Sequence, residues 1–258
     1  MNFKTLLAAS TVTLTLATAA NAAQVAALVG DNTIAMIDTQ AKKTTKSMKV
    51  TGITGALIGI DVRPADGALY GLSSDGTVYI IGMDGKATMK SKLESMLPSG
   101  AMATVDFNPV ADRLRIIGSD GTSLRVNVDD GKVTKDGNLK YSESDASKGK
   151  TPKVVAGAYT NSVKGAKETT LYDIDMTAGA LVKQAPPNDG TLNTIGMLGT
   201  KVQNIAFDIS SDGTKNEGWA MADGQLWSID LTSGKATSVG KIEGVAGTVK
   251  DIAVMPAM

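Results

Sequence analysis

Apolar and polar residues alternate along most of the chain in short runs that are separated by turn residues. Runs such as ALYGLSS, TVYIIGM, RLRIIGS and SLRVNV are rich in Leu, Ile, Val and Tyr. Alternation over such short segments is typical of half-buried β-strands. A helical period is scarce, and a short helix is predicted only for KSKLESML, residues 90–97. The pattern therefore predicts an all-β protein.

The dipeptide Asp-Gly separates many of these runs. It occurs nine times, and its aspartates are Asp66, Asp75, Asp84, Asp120, Asp130, Asp136, Asp189, Asp212 and Asp223. Asp-Gly favours the positive φ angles of tight hairpin turns. Consecutive strands are therefore expected to pair antiparallel.

A longer unit also repeats. LIGIDVRPADGALYGLSSDGTVYIIGMDGKAT and ATVDFNPVADRLRIIGSDGTSLRVNVDDGKVT place strands, an Asp and turns in the same order, and weaker copies begin at Val155 and Ile205. Equivalent positions in the four copies hold Asp61, Asp106, Ala158 and Asp208. A period of roughly 45 to 50 residues is typical of four-stranded propeller blades.

The two ends of the chain complement each other. The segment from Ala23 resembles a blade that lacks its first strand, and VKDIAVMP, residues 249–256, resembles a first strand without a blade. Joining them closes a ring and leaves no open sheet edge at the join. We therefore predict a β-propeller of five antiparallel, four-stranded blades closed by the C-terminal strand. Six blades are the alternative if residues 137–151 contain extra strands, and a β-sandwich is the alternative architecture.

The N-terminus has the pattern of a secretory signal. Lys4 precedes an apolar run, and Ala20-Asn21-Ala22 fits a small-residue cleavage site. We expect residues 1–22 to be removed near Ala22, so that residues 23–258 form a single domain in the periplasm or outside the cell. No later segment is long and apolar enough to predict a membrane span.

Composition narrows the possible chemistry. The chain has 26 basic and 26 acidic residues, and this balance argues against a nucleic-acid partner. Cys and His are absent, which excludes disulfides, catalysis by Ser-His or Cys-His pairs, and typical zinc sites. No cofactor is expected, although calcium held by oxygen ligands is possible.

Arginine is confined to one part of the chain. The stretch DFNPVADRLRIIG contains Arg113 and Arg115, and strand alternation places them on the face that Arg125 occupies across a hairpin. Arginine suits bidentate contacts with carboxylate or phosphate groups. The cluster is therefore a candidate ligand site. The alternative is that Arg63 and these arginines pair with aspartates and fasten neighbouring blades together.

Two further groups of residues are candidates for a site. Asp61, Asp106 and Asp208 recur at one blade position, where they could bind calcium, act as a glycosidase pair or accept hydrogen bonds from main-chain N–H groups. Asn188 and Asp189 lie in QAPPNDGTLNTIG, which is predicted to form either a rigid connection between strands or a binding loop. KDGNLKY, residues 135–141, repeats the DG-x-L pattern of NDGTLNT.

These motifs resemble a known family. GIDVRPADGALYGL, VDFNPVADRLRIIG, LRVN, DGNLKY, AYTNS, LYDID, QAPPNDGTLNTIG and FDIS occur in the order seen in the bacterial family catalogued as domain of unknown function 4394. The resemblance covers nearly the whole chain after residue 22. It implies an exported, propeller-like protein and carries no established activity.

The sequence favours an exported propeller that binds a small molecule or a protein without catalysis. A carboxylate-dependent glycoside hydrolase and a calcium-stabilised structural protein are the alternatives. The low aromatic content, 4%, argues against an extended sugar cleft.

Overall fold

Five β-sheets form a ring in the computed structural model, which describes residues 23–202 and 204–256. The predicted signal segment, residues 1–22, lies outside the described residues. Among the described residues, the only helix is one short 3-10 turn, Pro187–Asp189. The predicted all-β propeller with five blades is therefore confirmed.

Each sheet is one blade. Blade 1 contains β1 (Gln24–Val29), β2 (Thr33–Asp38) and β3 (Lys43–Lys49). Blade 2 contains β4 (Leu57–Val62), β5 (Leu69–Ser73), β6 (Thr77–Ile81) and β7 (Ala87–Lys92). Blade 3 contains β8 (Ala103–Asn108), β9 (Arg113–Gly118), β10 (Ser123–Val126) and β11 (Val133–Lys135). Blade 4 contains β13 (Val154–Tyr159), β14 (Leu171–Asp175), β15 (Ala180–Gln184) and β16 (Thr191–Met197), with β12 (Lys140–Tyr141) at its edge. Blade 5 contains β17 (Ala206–Ser211), β18 (Asn216–Ala222), β19 (Gln225–Ile229) and β20 (Ala236–Lys241).

The last strand closes the ring. β21 (Val249–Val254) pairs antiparallel with β1, and Val25 lies opposite Val254. β21 is therefore the first strand of blade 1, and the predicted closure is confirmed. The five first strands β4, β8, β13, β17 and β21 contact one another in succession around the centre.

The hydrophobic core is divided among the five junctions between blades. In β1, Ala26 and Leu28 pack towards blade 2, whereas Val25 and Ala27 pack towards blade 5. A strand that is buried on both faces typically has a continuous run of apolar residues, and QVAALV is such a run. The outer strand β3, KTTKSMK, is mostly exposed and correspondingly polar.

Most of the Asp-Gly dipeptides form tight turns, as predicted. Eight of the nine glycines have positive φ, Gly137 being the exception. The preceding aspartate commonly caps its own turn; Asp75 Oδ1, for example, accepts the N–H of Thr77 at 3.0 Å. Such local side-chain hydrogen bonds explain why Asp precedes Gly so often.

The segment from Gly137 to Thr151 contains no sixth blade among the described residues. Its strand β12 runs parallel to β16 and pairs Lys140 with Thr191 and Tyr141 with Leu192. The two DG-x-L segments therefore lie side by side. The six-blade and β-sandwich alternatives are wrong because this segment extends the edge of blade 4 after the chain leaves blade 3.

The helix predicted over residues 90–97 is also wrong. Residues 90–92 continue β7, where Ser91 pairs with Val78 and Lys92 with Thr77. Pairing with β6 holds Lys90 and Lys92 in the strand, and the N–H groups of Leu93 and Glu94 donate to Gly76 O and Gly131 O. These contacts override helical propensity, which is a weak determinant. In the described part of the chain, no helix has the length and apolarity that a membrane crossing requires.

Candidate functional site

Buried carboxylates converge at the centre of the ring. Asp61, Asp106 and Asp208 lie on the first strands of blades 2, 3 and 5, and one oxygen from each lies within 4.8 Å of the others. The repeat places Ala158 at the equivalent position of blade 4. A fourth aspartate, Asp251 of β21, faces the same region and is 3% exposed.

Each central carboxylate binds the main chain of the next blade. Asp61 Oδ2 accepts the N–H of Phe107 at 2.6 Å, and Asp106 Oδ1 accepts the N–H of Tyr159 at 3.0 Å. Asp208 Oδ2 likewise accepts the N–H of Val254. These N–H groups face a neighbouring blade and cannot join the ladder of their own sheet at that point, so the carboxylates satisfy buried donors.

Asp251 also accepts a hydrogen bond from the main chain of the next blade, at a different position along its strand. Its Oδ2 accepts the N–H of Ile60 at 2.9 Å, which joins blade 1 to blade 2. In blade 3 the hydroxyl of Thr104 takes the corresponding role and accepts the N–H of Gly157 at 3.0 Å. These distances therefore support the interpretation in which the aspartates accept hydrogen bonds from main-chain N–H groups.

Burial and mutual repulsion raise the pKa values of the central carboxyl groups. Burial raises the pKa of Asp61 and Asp106 well above the usual value, and the neighbouring carboxylates raise it further. Burial raises the pKa of Asp208 to about 6, although the N–H groups of Val254 and Ile209 oppose the shift. Burial also raises the pKa of Asp251 well above its ordinary value. The cluster therefore favours either bound protons or a bound cation at neutral pH.

A cavity of about 540 Å³ lies at the end of the ring where the first strands begin. We call it the channel mouth. All five blades contribute residues at or beside these strand starts, and the lining includes Ile58, Ala103, Val155, Ile205 and Val249. Met102, Met176, Lys153 and Lys250 also line it.

Arg63 fastens blade 2 to blade 3. Its guanidinium group bonds to both oxygens of Asp112, at 2.8 and 2.6 Å, and to both oxygens of Asp129, at 3.2 and 3.0 Å. These hydrogen bonds hold the pKa of Asp129 well below its usual range. Both aspartates lie in turns of blade 3. Arg63 therefore fits the interpretation in which arginine–aspartate pairs hold neighbouring blades together.

Arg115 is buried between blades 3 and 4. It donates to Asp136 Oδ2 at 2.5 Å, to Asn188 Oδ1 at 2.8 Å and to the hydroxyl of Tyr159 at 3.2 Å. Arg125 lies opposite Arg115 in the ladder and donates to the same Asp136 at 2.7 and 2.9 Å. Two arginines thus share one buried carboxylate.

Two other proposed site residues, Arg113 and Asp189, lie apart from this pair. Arg113 donates to the main-chain oxygens of Ala111 and Asp112, and does not join the predicted three-arginine cluster. Asp189 is exposed in the short 3-10 turn. The structure brings Asn188 to Arg115. Asp106 lies opposite Arg115 in the ladder of β8 and β9, but among the described residues neither Asp61 nor Asp106 forms an ion pair with an arginine.

Besides Asp251, sequence reasoning missed three aspartates. Asp129 and Asp136 bind the arginines, and their only signal was proximity to Asp-Gly turns. Asp173 is fully buried between blades 3 and 4, and both of its oxygens lack a hydrogen-bond partner among the described residues. Burial raises the pKa of Asp173 to about 8 despite the opposing charge of Arg115, so its neutral form predominates at pH 7.

Two crystal structures of proteins of unknown function resemble this fold. A protein from Bacteroides thetaiotaomicron VPI-5482 is 16% identical with a TM-score of 0.53, and the alignment covers 93% of this chain and 68% of that chain. A protein from Bacteroides caccae is 12% identical with a TM-score of 0.46, and the alignment covers 92% of this chain and 100% of that chain. No curated protein matches the sequence. Residues 33–253 match the family described as DUF4394, a domain of unknown function, and the chain belongs to that family.

Proposed function

We propose that this protein is an exported, non-catalytic propeller that binds a small apolar anion at the channel mouth. The observation that carries the proposal is the cavity of about 540 Å³ to which all five blades contribute. Ligand pockets in proteins typically measure roughly 300–1,000 Å³ and are lined mainly by apolar side chains. The N-terminal signal pattern supports a location in the periplasm or outside the cell.

The lining residues indicate the chemistry of the ligand. Ile58, Val155 and Met176 provide apolar surface, and methionine adapts its shape to irregular partners. The two charged residues among the described lining residues are Lys153 and Lys250, and Lys250 also pairs with Asp31 at 2.6 Å. An apolar body with one carboxylate or sulfonate group would match these walls and the two cations.

Binding can be tested with anilinonaphthalene sulfonate, a fluorescent apolar anion, and with octanoate as a competitor. We expect saturable fluorescence that octanoate displaces. Lys153→Glu should weaken binding roughly tenfold or more, because it replaces an attraction with a repulsion near the anion.

The matched control is Lys164→Glu, which makes the same change at an exposed position outside the cavity. It should leave the affinity unchanged. Equal weakening by both substitutions would reflect net charge alone and would contradict a site at the channel mouth, as would dye binding that never saturates.

A second proposal is that Asp61, Asp106 and Asp208 bind calcium. Calcium takes six to eight oxygen ligands, and the three converging carboxylates could supply part of such a set. Main-chain N–H groups occupy only part of the acceptor capacity of each carboxylate. The remaining ligands would be water or other oxygen atoms, and the ion would relieve the repulsion that raises the pKa values.

Calcium and pH should therefore affect stability together. The folded state holds protons that the unfolded state releases near pH 4, so in chelator the free energy of unfolding should fall as pH rises from about 4 through 6. Calcium should raise the melting temperature at pH 7.5, where the carboxylates would otherwise repel one another. Thermal unfolding in calcium and in chelator measures both effects.

Asp106→Asn should abolish the calcium effect, whereas Asp84→Asn, in an exposed turn, should retain it. A melting temperature at pH 7.5 that is identical in calcium and chelator would rule out the ion and leave the carboxylates their main-chain role alone.

The glycosidase alternative receives little support from the geometry. Asp61 and Asp106 are 8% and 4% exposed, so a glycosidic bond would not reach them without movement of the blades. Retaining and inverting enzymes need their two carboxyl groups on either side of an accessible sugar ring.

A further inference from the structure

A second open cavity lies at the opposite end of the ring. Its volume is about 600 Å³, and it separates blade 5 from blade 1. Thr39 and Gln40, which follow β2, form one wall, and residues of β18, β19 and the turn after β19 form the other. We call this cavity the blade 5–1 groove.

The groove begins where the apolar packing between these blades ends. Met221 and Leu226 of blade 5 are buried against blade 1 together with Ile37. Trp219 lies two residues before Met221 on the same face of β18, but it is only half-buried and lines the groove. Its indole N–H donates to Ser210 Oγ at 3.2 Å, which fixes the orientation of the ring.

Polar side chains surround the exposed part of the indole. Ser228 lies opposite Trp219 in the ladder, and Thr237 lies opposite Ser228. Glu217 adds a carboxylate on the same strand as Trp219, and Gln40 adds an amide from blade 1. Lys215 donates to one oxygen of Glu217, which leaves the other oxygen as an acceptor. An aromatic face beside hydroxyl, amide and carboxylate groups can stack on the C–H face of a sugar ring and bond to its hydroxyl groups.

Other junctions at this end of the ring are filled by side-chain pairs. Arg63 with Asp112 and Asp129 fills the junction between blades 2 and 3. Asn161 and Asn216 exchange a hydrogen bond of 2.8 Å between blades 4 and 5. The blade 5–1 junction is joined by main-chain bonds of Lys42 and Thr44 with Glu243, yet it retains open volume beside Trp219.

Charge narrows the class of ligand. The charged residues that line the groove are Glu217, Asp230 and Lys235, and Lys215 beside the groove forms an ion pair with Glu217, so positive and negative charges balance. A groove without excess positive charge offers no net attraction to uronic acids or sulfated sugars. We infer that the blade 5–1 groove binds a neutral saccharide, whose ring stacks on Trp219 and whose hydroxyl groups bond to Glu217, Ser228 and Thr237.

The two tryptophans of the chain allow a direct test. Trp227 is half-buried between blades 4 and 5, and its indole nitrogen lacks a partner in the described structure, so Trp227→Phe should be tolerated. This variant leaves Trp219 as the only indole. Titration with neutral oligosaccharides of glucose, xylose, mannose and N-acetylglucosamine should produce a saturable change in Trp219 emission for at least one series.

Variants then locate the site. Glu217→Gln should weaken the affinity about tenfold, as expected for loss of one charge-assisted hydrogen bond. Trp219→Ala, followed by calorimetry, should remove binding. Glu168→Gln, an exposed change in blade 4, should have no effect.

The inference is overturned if no neutral saccharide changes the emission, or if a saccharide binds equally well to Trp219→Ala and Glu217→Gln. Preference for a uronic acid polymer over its neutral counterpart would also overturn it. Because the groove and the channel mouth lie at opposite ends, failure here leaves the binding of an apolar anion untouched.

Discussion

Deletion of residues 248–258 is expected to abolish cooperative folding. The deletion removes β21, whose Val249, Ile252 and Ala253 are buried between blades. It also removes the Val254 N–H that bonds to Asp208 and the Asp251 carboxylate that bonds to Ile60. The edge of β1 would then be open for pairing with other chains. Circular dichroism and size-exclusion chromatography should show a chain without a melting transition, or aggregates.

A permuted chain provides the matched control. Residues 248–258 placed before Ala23 through a short glycine linker should restore folding, because Met255 N already donates to Gln24 O at 2.8 Å and the two strands are antiparallel. The permutant keeps every buried residue and changes only the order of the chain. A deleted chain that melts cooperatively at the temperature of the intact protein would contradict the closure of the ring by β21.

Arg115→Gln is expected to lower the free energy of unfolding by about 3–5 kcal/mol, since it breaks a buried ion pair and leaves part of its charge uncompensated. The side chains of Arg115 and Asp136 are 3% and 5% exposed. For a protein of this size the melting temperature should fall by roughly 10 °C. Urea unfolding at pH 7 measures the change.

Arg125→Gln is the matched comparison. Arg125 binds the same Asp136, but its side chain is 34% exposed. Asp136 would keep Arg115 as a partner, so the loss should be about 1 kcal/mol or less. Equal losses for the two substitutions, or a negligible loss for Arg115→Gln, would contradict the structural role and favour the ligand site considered from the sequence.

The architecture could be predicted because it depends on local and repeated features. Asp-Gly turns fix the hairpins, and the recurrence of Asp61, Asp106 and Asp208 fixes the blade period. The C-terminal VKDIAV could be placed because it carries the pattern of a first strand. Asp251 was missed because it lies at a different position along its strand from the other three aspartates, and the repeat carries no Asp at that position. Its carboxylate accepts a main-chain hydrogen bond there.

The sites were harder to predict because they depend on contacts between blades. Arg115 and Asn188 are 73 residues apart in sequence, and no local pattern connects them. The channel mouth combines single residues from five blades. Trp219 resembles Trp227 in sequence as an aromatic residue of a strand, but only the packing of blade 5 against blade 1 leaves Trp219 beside an open groove.

The central aspartates have a consequence for how such a ring can evolve. Each carboxylate satisfies the backbone of the following blade, as Asp61 does for Phe107 and Asp106 for Tyr159. A duplicated blade would therefore bring a carboxylate for its successor and accept one from its predecessor. Duplication of the gene segment for blade 2 or blade 3 would preserve bonds of this type. Ala158 and Ala253, which hold the equivalent position in blades 4 and 1, show that two such links can be lost without opening the ring.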